Sequence, residues 1–339
     1  MNPAERVRLG KTRLTVTRLG LGTAPLGGLF QAVDDVQASA VVERAYAAGI
    51  RFFDTAPLYG YGLAERRVGH ILRRRPRHEF VLATKVGRLL RAGAPPDETQ
   101  YYHGEPFYKG TPPLNPVFDF SYDGVMRSVE ESLDRLGLAR IDILHIHDPD
   151  AHFEEAVSGA YRALDRLRSE GTVGAAGAGM NQAEMLVRFA READFDCFLL
   201  AGRYTLLDQS GLAELLPLCE KKNIAVIIGG VYNSGILARP RHGATYDYIP
   251  AEPAMLEKAQ RLETVCARHG VPLAAAALQF PLGHPAVASV LIGCRSGAEV
   301  DENCRLFRLN VPAAVWDELR AERLIPETAP VPGNRVAKQ

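Results

Sequence analysis

The chain has no excess of charge of either sign: forty Lys and Arg stand against forty Asp and Glu, a formal net charge of zero. Such a balance excludes a polyanion-binding face and long-range steering of a charged partner, so no nucleic acid is expected. The conspicuous basic run, Arg73–Arg75 with Arg77, reads as a solvated helix end whose cations complement the helix dipole. Cysteine is also sparse. Its five copies (Cys197, Cys219, Cys266, Cys294 and Cys304) are odd in number and form no CxxC pair. That argues against a disulfide framework and a structural zinc site, and suits a reducing compartment. No metal is expected. Long apolar runs are missing too, so no membrane span is expected. The opening "MNPAERVRLG" lacks the apolar core of a signal peptide, and a cytoplasmic protein is expected. Internal repeats, low-complexity tracts and interdomain linkers are all absent. The 339 residues, 47% hydrophobic and 24% charged, therefore read as one globular domain over 1–339.

What is present is a strong alternation. After "RVRLGKTRLTVTRLG", which reads as a hairpin, short apolar runs recur at "LGLGTA", "RFFD", "FVLATK", "IDILHIH", "VGAAGAG", "FDCFLL", "IAVIIGG" and "ASVLIG". Between them lie stretches of helical period, such as "YDGVMRSVEESLDRLG" and "PAMLEKAQRLETVCARHG". Eight strands each followed by a helix predict an α/β fold, a (β/α)8 TIM barrel with an N-terminal β-hairpin. One connection is too long for the pattern. Residues 88–121, after the third strand, carry Tyr101, Tyr102, Phe107, Tyr108, Phe118 and Phe120. A loop this long is usually functional, and its place on the catalytic face of a barrel predicts a substrate-covering lid. The Pro-containing tail, 326–339, reads as a loosely ordered extension over the barrel mouth.

Barrel enzymes place their chemistry at the C-terminal ends of strands. Those ends supply Asp54 after the second strand, Lys85 after the third and His147 after the fourth, with Tyr59 in the loop after the second. Each has a bland reading. Asp54 caps a turn, Lys85 reaches water, His147 is a satisfied histidine with His145 competing at the same strand parity, and Tyr59 is structural. Together they also suit proton transfer. A phenol is a poor base near neutrality, a nearby ammonium favours the phenolate, and a carboxylate holds the ammonium in place. His147 would orient a substrate oxygen. Such a set equips a protein for hydride transfer at a carbonyl or alcohol carbon.

"FFDTAPLYGYGLAERRVG", "LATKVG", "RLGLARIDILHIHD" and "VLIGCRSGAEVDEN" together resemble the aldo-keto reductase family over nearly the whole chain. The resemblance implies a catalytic tetrad at Asp54, Tyr59, Lys85 and His147. The long loop with "AGAGMNQ" and "LLAGRYTLLDQ" is similar to a branch of aldose 1-dehydrogenases (L-fucose type) and pyridoxal 4-dehydrogenases. It further implies a dinucleotide lying across the barrel mouth, starting at Thr23 and Ala24. The family's carboxamide-reading Ser-Asn pair is not intact, which leaves Asn181. Where the family offers a ring to stack on nicotinamide, "IIGGVYNSGIL" has Gly229 and Gly230. Either the ring is lost or Tyr232 supplies it, with Val231 and Ser234 adding backbone contacts. The segment from Ile292 would hold the adenosine half through Glu302 and Asn303. Glu299 stands where an arginine often grips the 2′-phosphate of NADP. That favours NAD, with NADP kept open by Arg295.

The activity so implied is oxidation of the anomeric carbon of an aldose (L-fucose, L-galactose or D-arabinose type) to a lactone. The alternatives are a pyridoxal 4-dehydrogenase or an NADPH-dependent reductase of aldehydes and ketones. Outside that class, Lys85 could form a Schiff base in an aldolase-type lyase, or the fold could serve as a nucleotide-binding regulatory subunit. The expected partner is a small sugar or aldehyde, on a monomer or small homo-oligomer.

Overall fold

A computed structural model describes residues 1–333. The barrel strands are β1 (Leu19–Gly22), β2 (Phe52–Asp54), β3 (Val81–Val86), β4 (Ile143–His147), β5 (Ala175–Met180), β6 (Cys197–Ala201), β7 (Ala225–Gly229) and β8 (Val287–Gly293). They pair in parallel, each with the next in sequence, and β8 returns to β1 to close the barrel. All six residues of β3 and of β5 are buried, as befits strands covered on both faces.

Two apolar layers result. Outside the strands, side chains such as Leu21, Phe53, Leu82, Leu144 and Phe198 pack against the helices. Inside, Phe52, Val81, Ile143, Ala175 and Ile227 form a second cluster. The hairpin Arg6–Arg8 with Thr15–Thr17 adds fully buried Leu9 and Val16 to that inner cluster. It therefore plugs the N-terminal end of the barrel. Higher up, β5 is nearly all Ala and Gly for a steric reason: a Cβ on Gly177 would stand 2.5 Å from the His145 ring.

The helices begin and end where local chemistry directs. Helix α1 (Asp35–Ala47) is capped by the Asp34 carboxylate, which accepts from Gln37 N–H at 2.7 Å. The helix α2 (Leu63–Leu72) follows the loop after β2, and α3 (Tyr122–Leu136) starts on Ser121 and stops at left-handed Gly137. Downstream, α4 (Leu273–Gln279) does not appear among the stretches of helical period. Six of its seven residues are buried, so it has no polar face to create a period. A last pair, α5 (Gly297–Arg308) and α6 (Ala313–Ala321), follows β8.

Three sequence expectations are corrected. The basic run is only partly solvated, because Arg77 lies against Phe80 and donates to the buried Asp142 carboxylate at 2.6 Å. Residues 88–121 are not a bare loop. Arg88–Arg91 pairs antiparallel with Asn115–Phe118, and a smaller ribbon joins Tyr101–Tyr102 to Glu105–Pro106. The described part of the tail, up to residue 333, does not cover the mouth. Ala329 and Val331 are buried, and Pro330 and Val331 pack on Gly283 in the turn leading into β8, at the opposite end of the barrel. Apolar tail residues find an unfilled apolar surface there. Residues 334–339 of the tail lie outside the described residues.

Candidate active site

Asp54 ends β2 and Lys85 lies in the neighbouring β3, so the barrel wall sets them side by side. Lys85 Nζ donates to Asp54 Oδ1 at 2.6 Å and to the Thr55 carbonyl at 2.9 Å. Both side chains are 1% exposed. Burial raises the Asp54 carboxyl, and Lys85 pulls it back down. The second oxygen, Oδ2, is buried with no hydrogen-bond partner.

Tyr59 reaches this pair from the loop after β2. The turn carrying it lies backbone against backbone on the loop after β1: a Cβ on Gly27 would fall 2.5 Å from the Tyr59 carbonyl carbon, and one on Gly60 2.2 Å from the Gly27 oxygen. Gly60, Tyr61 and Gly62 all have left-handed φ, at 63°, 53° and 91°, which explains the glycines around the tyrosine. Lys85 Nζ lies 4.6 Å from the centre of the Tyr59 ring. His147, at the end of β4, meets that ring edge-on with centroids 5.8 Å apart. The two histidines differ in depth. His147 lines the cavity, whereas His145 is fully buried below it with Nε2 3.6 Å from Cys197 Sγ.

The electrostatics differ from the expected lowering of the phenol. Burial pushes Tyr59 well above the ordinary tyrosine value, and Asp54 adds to the push. Asp54 neutralises most of the Lys85 charge, and Lys85 sits over the ring face rather than at the hydroxyl. Burial therefore prevails. Burial also holds His147 well below its ordinary value, with Arg88 adding to it, so the imidazole is neutral.

These groups form the floor of a cavity of about 550 Å³ at the C-terminal ends of the strands. The long connection supplies much of its wall. Tyr108 stacks on Tyr59 with ring centroids 6.4 Å apart and is held by a backbone bridge to Leu29 in the loop after β1. Phe107 meets Phe30 and Tyr248 at 6.0 and 5.9 Å, so three loops meet in one aromatic cluster at the rim. Among the lining residues that the sequence reading did not single out are Arg88, Asp148 and Tyr248. Asp148 directly follows a strand end and Arg88 lies two residues beyond one, so both positions were legible. Tyr248 sits in the turn of the hairpin Thr245–Tyr246 with Ile249–Pro250, and its approach to the cavity had no sequence signal.

The residues expected at a dinucleotide are spread along the mouth. Thr23 is buried, donating Oγ1 to the Asp54 carbonyl at 2.9 Å, with Ala24 next to it. Asn181, beyond β5, is exposed and lines the cavity. Gly230 and Ser234 are left-handed, and Ser234 Oγ accepts from Tyr248 N–H at 3.0 Å. Val231 and Ile292 are buried. The Tyr232 hydroxyl donates to Asn303 Oδ1 at 2.6 Å, and Tyr232 is not among the residues lining the cavity. Asn303 also donates to the Glu299 carbonyl at 2.8 Å, while Glu302 pairs with Arg305 at 2.7 Å. The Glu299 carboxylate accepts Arg295 N–H at 2.8 Å, and Glu299 N–H donates to Ser296 Oγ at 3.2 Å, which caps α5. Arg295 gives one nitrogen to the Leu29 carbonyl at 2.8 Å and keeps a buried Nε without a partner. An exposed amide at one end and an unpartnered buried guanidinium nitrogen at the other fit an extended nicotinamide dinucleotide.

Other chemistries find less support. Among the described residues no group of three His, Cys, Asp or Glu side chains could hold a metal ion, and no helix is long and apolar enough to cross a membrane. All five cysteines are unbonded and buried.

Comparison with known proteins agrees with the geometry. The Aldo/keto reductase family model matches residues 18–322. The chain is 44% identical to a pyridoxal 4-dehydrogenase from Microbacterium luteolum, over 96% of this chain and 99% of that protein. It is 42% identical to a D-threo-aldose 1-dehydrogenase from a Pseudomonas species, over 92% and 96% of the two chains. Its fold superposes on a holo-form aldo-keto reductase from Bacillus halodurans with a TM-score of 0.72 and 24% identity, covering 97% and 98%, a likeness of fold alone. With the barrel, the strand-end residues and these matches in place, the chain belongs to the aldo/keto reductase family and is an NAD(P)-dependent oxidoreductase.

Proposed function

We propose that the protein oxidises the anomeric carbon of an aldose to a lactone, with NAD as the preferred acceptor. The observation that carries this reading is the mixed lining of the cavity, in which aromatic rings such as Phe107, Tyr108 and Phe118 stand together with the polar groups Arg88, Asp148 and Asn181. Rings suit the C–H face of a sugar, and fixed polar groups suit its hydroxyls. Similarity to a D-threo-aldose 1-dehydrogenase supports it.

A bound nicotinamide supplies the acceptor for the hydride that leaves the anomeric carbon. Tyr59, as its phenolate, takes the proton from the anomeric hydroxyl as that hydride departs and becomes the neutral phenol. The phenolate needed beforehand lies beside the Lys85–Asp54 pair, whose ammonium stabilises it without needing to be mobile. Neutral His147 holds the same oxygen by a hydrogen bond and contributes no charge. Asn181 would read the carboxamide, and Arg295 with the loop from Gly230 to Ser234 would hold the phosphates. The Glu299 carboxylate near the adenosine end disfavours a 2′-phosphate, which supports NAD over NADP. One further reading has a specific observation behind it: the 44% identity to a pyridoxal 4-dehydrogenase fits a substrate that is also a cyclic hemiacetal oxidised to a lactone.

The test is absorbance at 340 nm with NAD or NADP and a panel of L-fucose, L-galactose, D-arabinose and pyridoxal. Reduction of NAD by one of the sugars is expected. Silence across the panel, with NADPH consumed by simple aldehydes, would transfer the assignment to the carbonyl reductases.

A further inference from the structure

The cavity holds a second set of charged groups that the chemistry above does not use. Arg88 follows β3 by two residues, is 5% exposed, and lies with its guanidinium carbon 4.7 Å over the Phe118 ring. Its Nη2 donates to Asp148 Oδ2 at 3.3 Å. Its Nη1 lies 3.6 Å from Asp97 Oδ2, beyond hydrogen-bond reach, and both Nη1 and Nε are buried without an acceptor. Asp148 directly follows His147, with Oδ2 3.4 Å from the His147 Nε2. Its backbone is left-handed at φ 40°, a strained conformation for a non-glycine residue. The side chain keeps 31% of its surface open, and both residues line the cavity.

A purely structural staple between the long connection and β4 would use its donors on its own partners. Here Nε has no partner and Nη1 has only the Asp97 carboxylate at 3.6 Å, while the paired Asp148 carboxylate opens toward the site where substrate must lie. Leaving buried donors unpaired is costly unless a ligand completes them. Donor and acceptor side by side match a pair of neighbouring oxygens, one accepting and one donating. We propose that Arg88 and Asp148 form a hydroxyl-reading pair that grips the oxygen adjacent to the reacting carbon and so positions that carbon against Tyr59 and His147. The inference rests on the proposed function only in taking the substrate to carry a hydroxyl beside the reacting carbon.

Two substrate pairs test it, each differing by that hydroxyl. D-Arabinose and 2-deoxy-D-erythro-pentose serve for oxidation, and D-lactaldehyde and propionaldehyde for reduction. Wild-type protein should prefer the hydroxylated member. In Asp148→Asn and Arg88→Met, KM for that member should rise about tenfold to a hundredfold, with kcat changed less. The ratio of kcat/KM between the members should fall at least about tenfold. Arg88→Lys should recover part of the ratio, because it restores a donor without the fork. Thermal midpoints identify any variant that has merely unfolded. A ratio within about twofold of wild type in all three variants, whether both members fall together or neither falls, would overturn the pair. So would a wild-type protein with no preference in either substrate pair. Failure of aldose oxidation alone, with the lactaldehyde preference present and lost in the variants, would sink the anomeric reading and leave the pair standing.

Discussion

Tyr59 and the Lys85–Asp54 pair set the tightest constraints on the chemistry. The phenol is held well above its ordinary value by burial, so at neutral pH it carries its proton. Reduction then has its acid ready, whereas oxidation must find the small deprotonated fraction. Oxidative kcat/KM should climb with pH without levelling below the ordinary tyrosine value of about 10, while reductive kcat/KM stays flat through neutrality. An oxidative plateau already reached at about pH 7 would place the proton acceptor elsewhere. Replacing Tyr59 by Phe removes the acceptor and little shape. Turnover should drop by about 10²–10⁴-fold, with cofactor affinity, read by quenching of protein fluorescence, close to wild type. The ion pair makes a stability claim as well. Lys85→Met leaves Asp54 buried and unpartnered, and should cost about 3–5 kcal/mol in chemical denaturation. Adding Asp54→Leu should recover much of that loss, because the lone buried charge is gone. If the double variant is no more stable than the single, the pair is not the source of the cost.

The N-terminus of α5 and the connection after β3 show how an element can hide its purpose. Ser296 and Glu299 have the spacing of a capping box, and the structure shows the Glu299 carboxylate accepting Arg295 N–H. The same side chain is proposed to disfavour NADP, so its two roles must be separated. Glu299→Arg should raise the NADP-to-NAD ratio of kcat/KM by about tenfold while losing the bond from Arg295 N–H, at about 0.5–1.5 kcal/mol. Glu299→Gln retains an acceptor for that N–H and should shift the ratio much less. Equal ratios in the two variants would remove Glu299 from cofactor choice. The connection was legible as a functional insert from its length and its aromatics. Its ribbons were not, because Arg88–Arg91 and Asn115–Phe118 are far apart in sequence and have no tight turn to announce their pairing. In the same way α4 escaped notice: a helix buried all round has no periodicity to read.

The closed barrel puts all candidate chemistry at one end and the hairpin and tail at the other. Removing the chain after Ile325 should therefore lower stability by at least about 1.5–3 kcal/mol, the worth of burying Val331 alone, and leave KM for cofactor and substrate unmoved. A rise in either KM would mean that the tail communicates with the mouth. Alternation of strand and helix, the strand-end positions of Asp54, Lys85 and His147, and the hairpin were all determined by the sequence itself. Each rests on local periodicity or on parity along a strand, which adjacent residues suffice to set. Tertiary structure alone decided the rest. It set His147 at the cavity with His145 buried below and raised the Tyr59 phenol by burial. It also tied Tyr232 to Asn303, laid the tail on the turn before β8, and set Arg88 against Asp148. All of these depend on which distant segments exclude water from one another, and that is a property of the closed barrel and its packed loops rather than of any short stretch of chain.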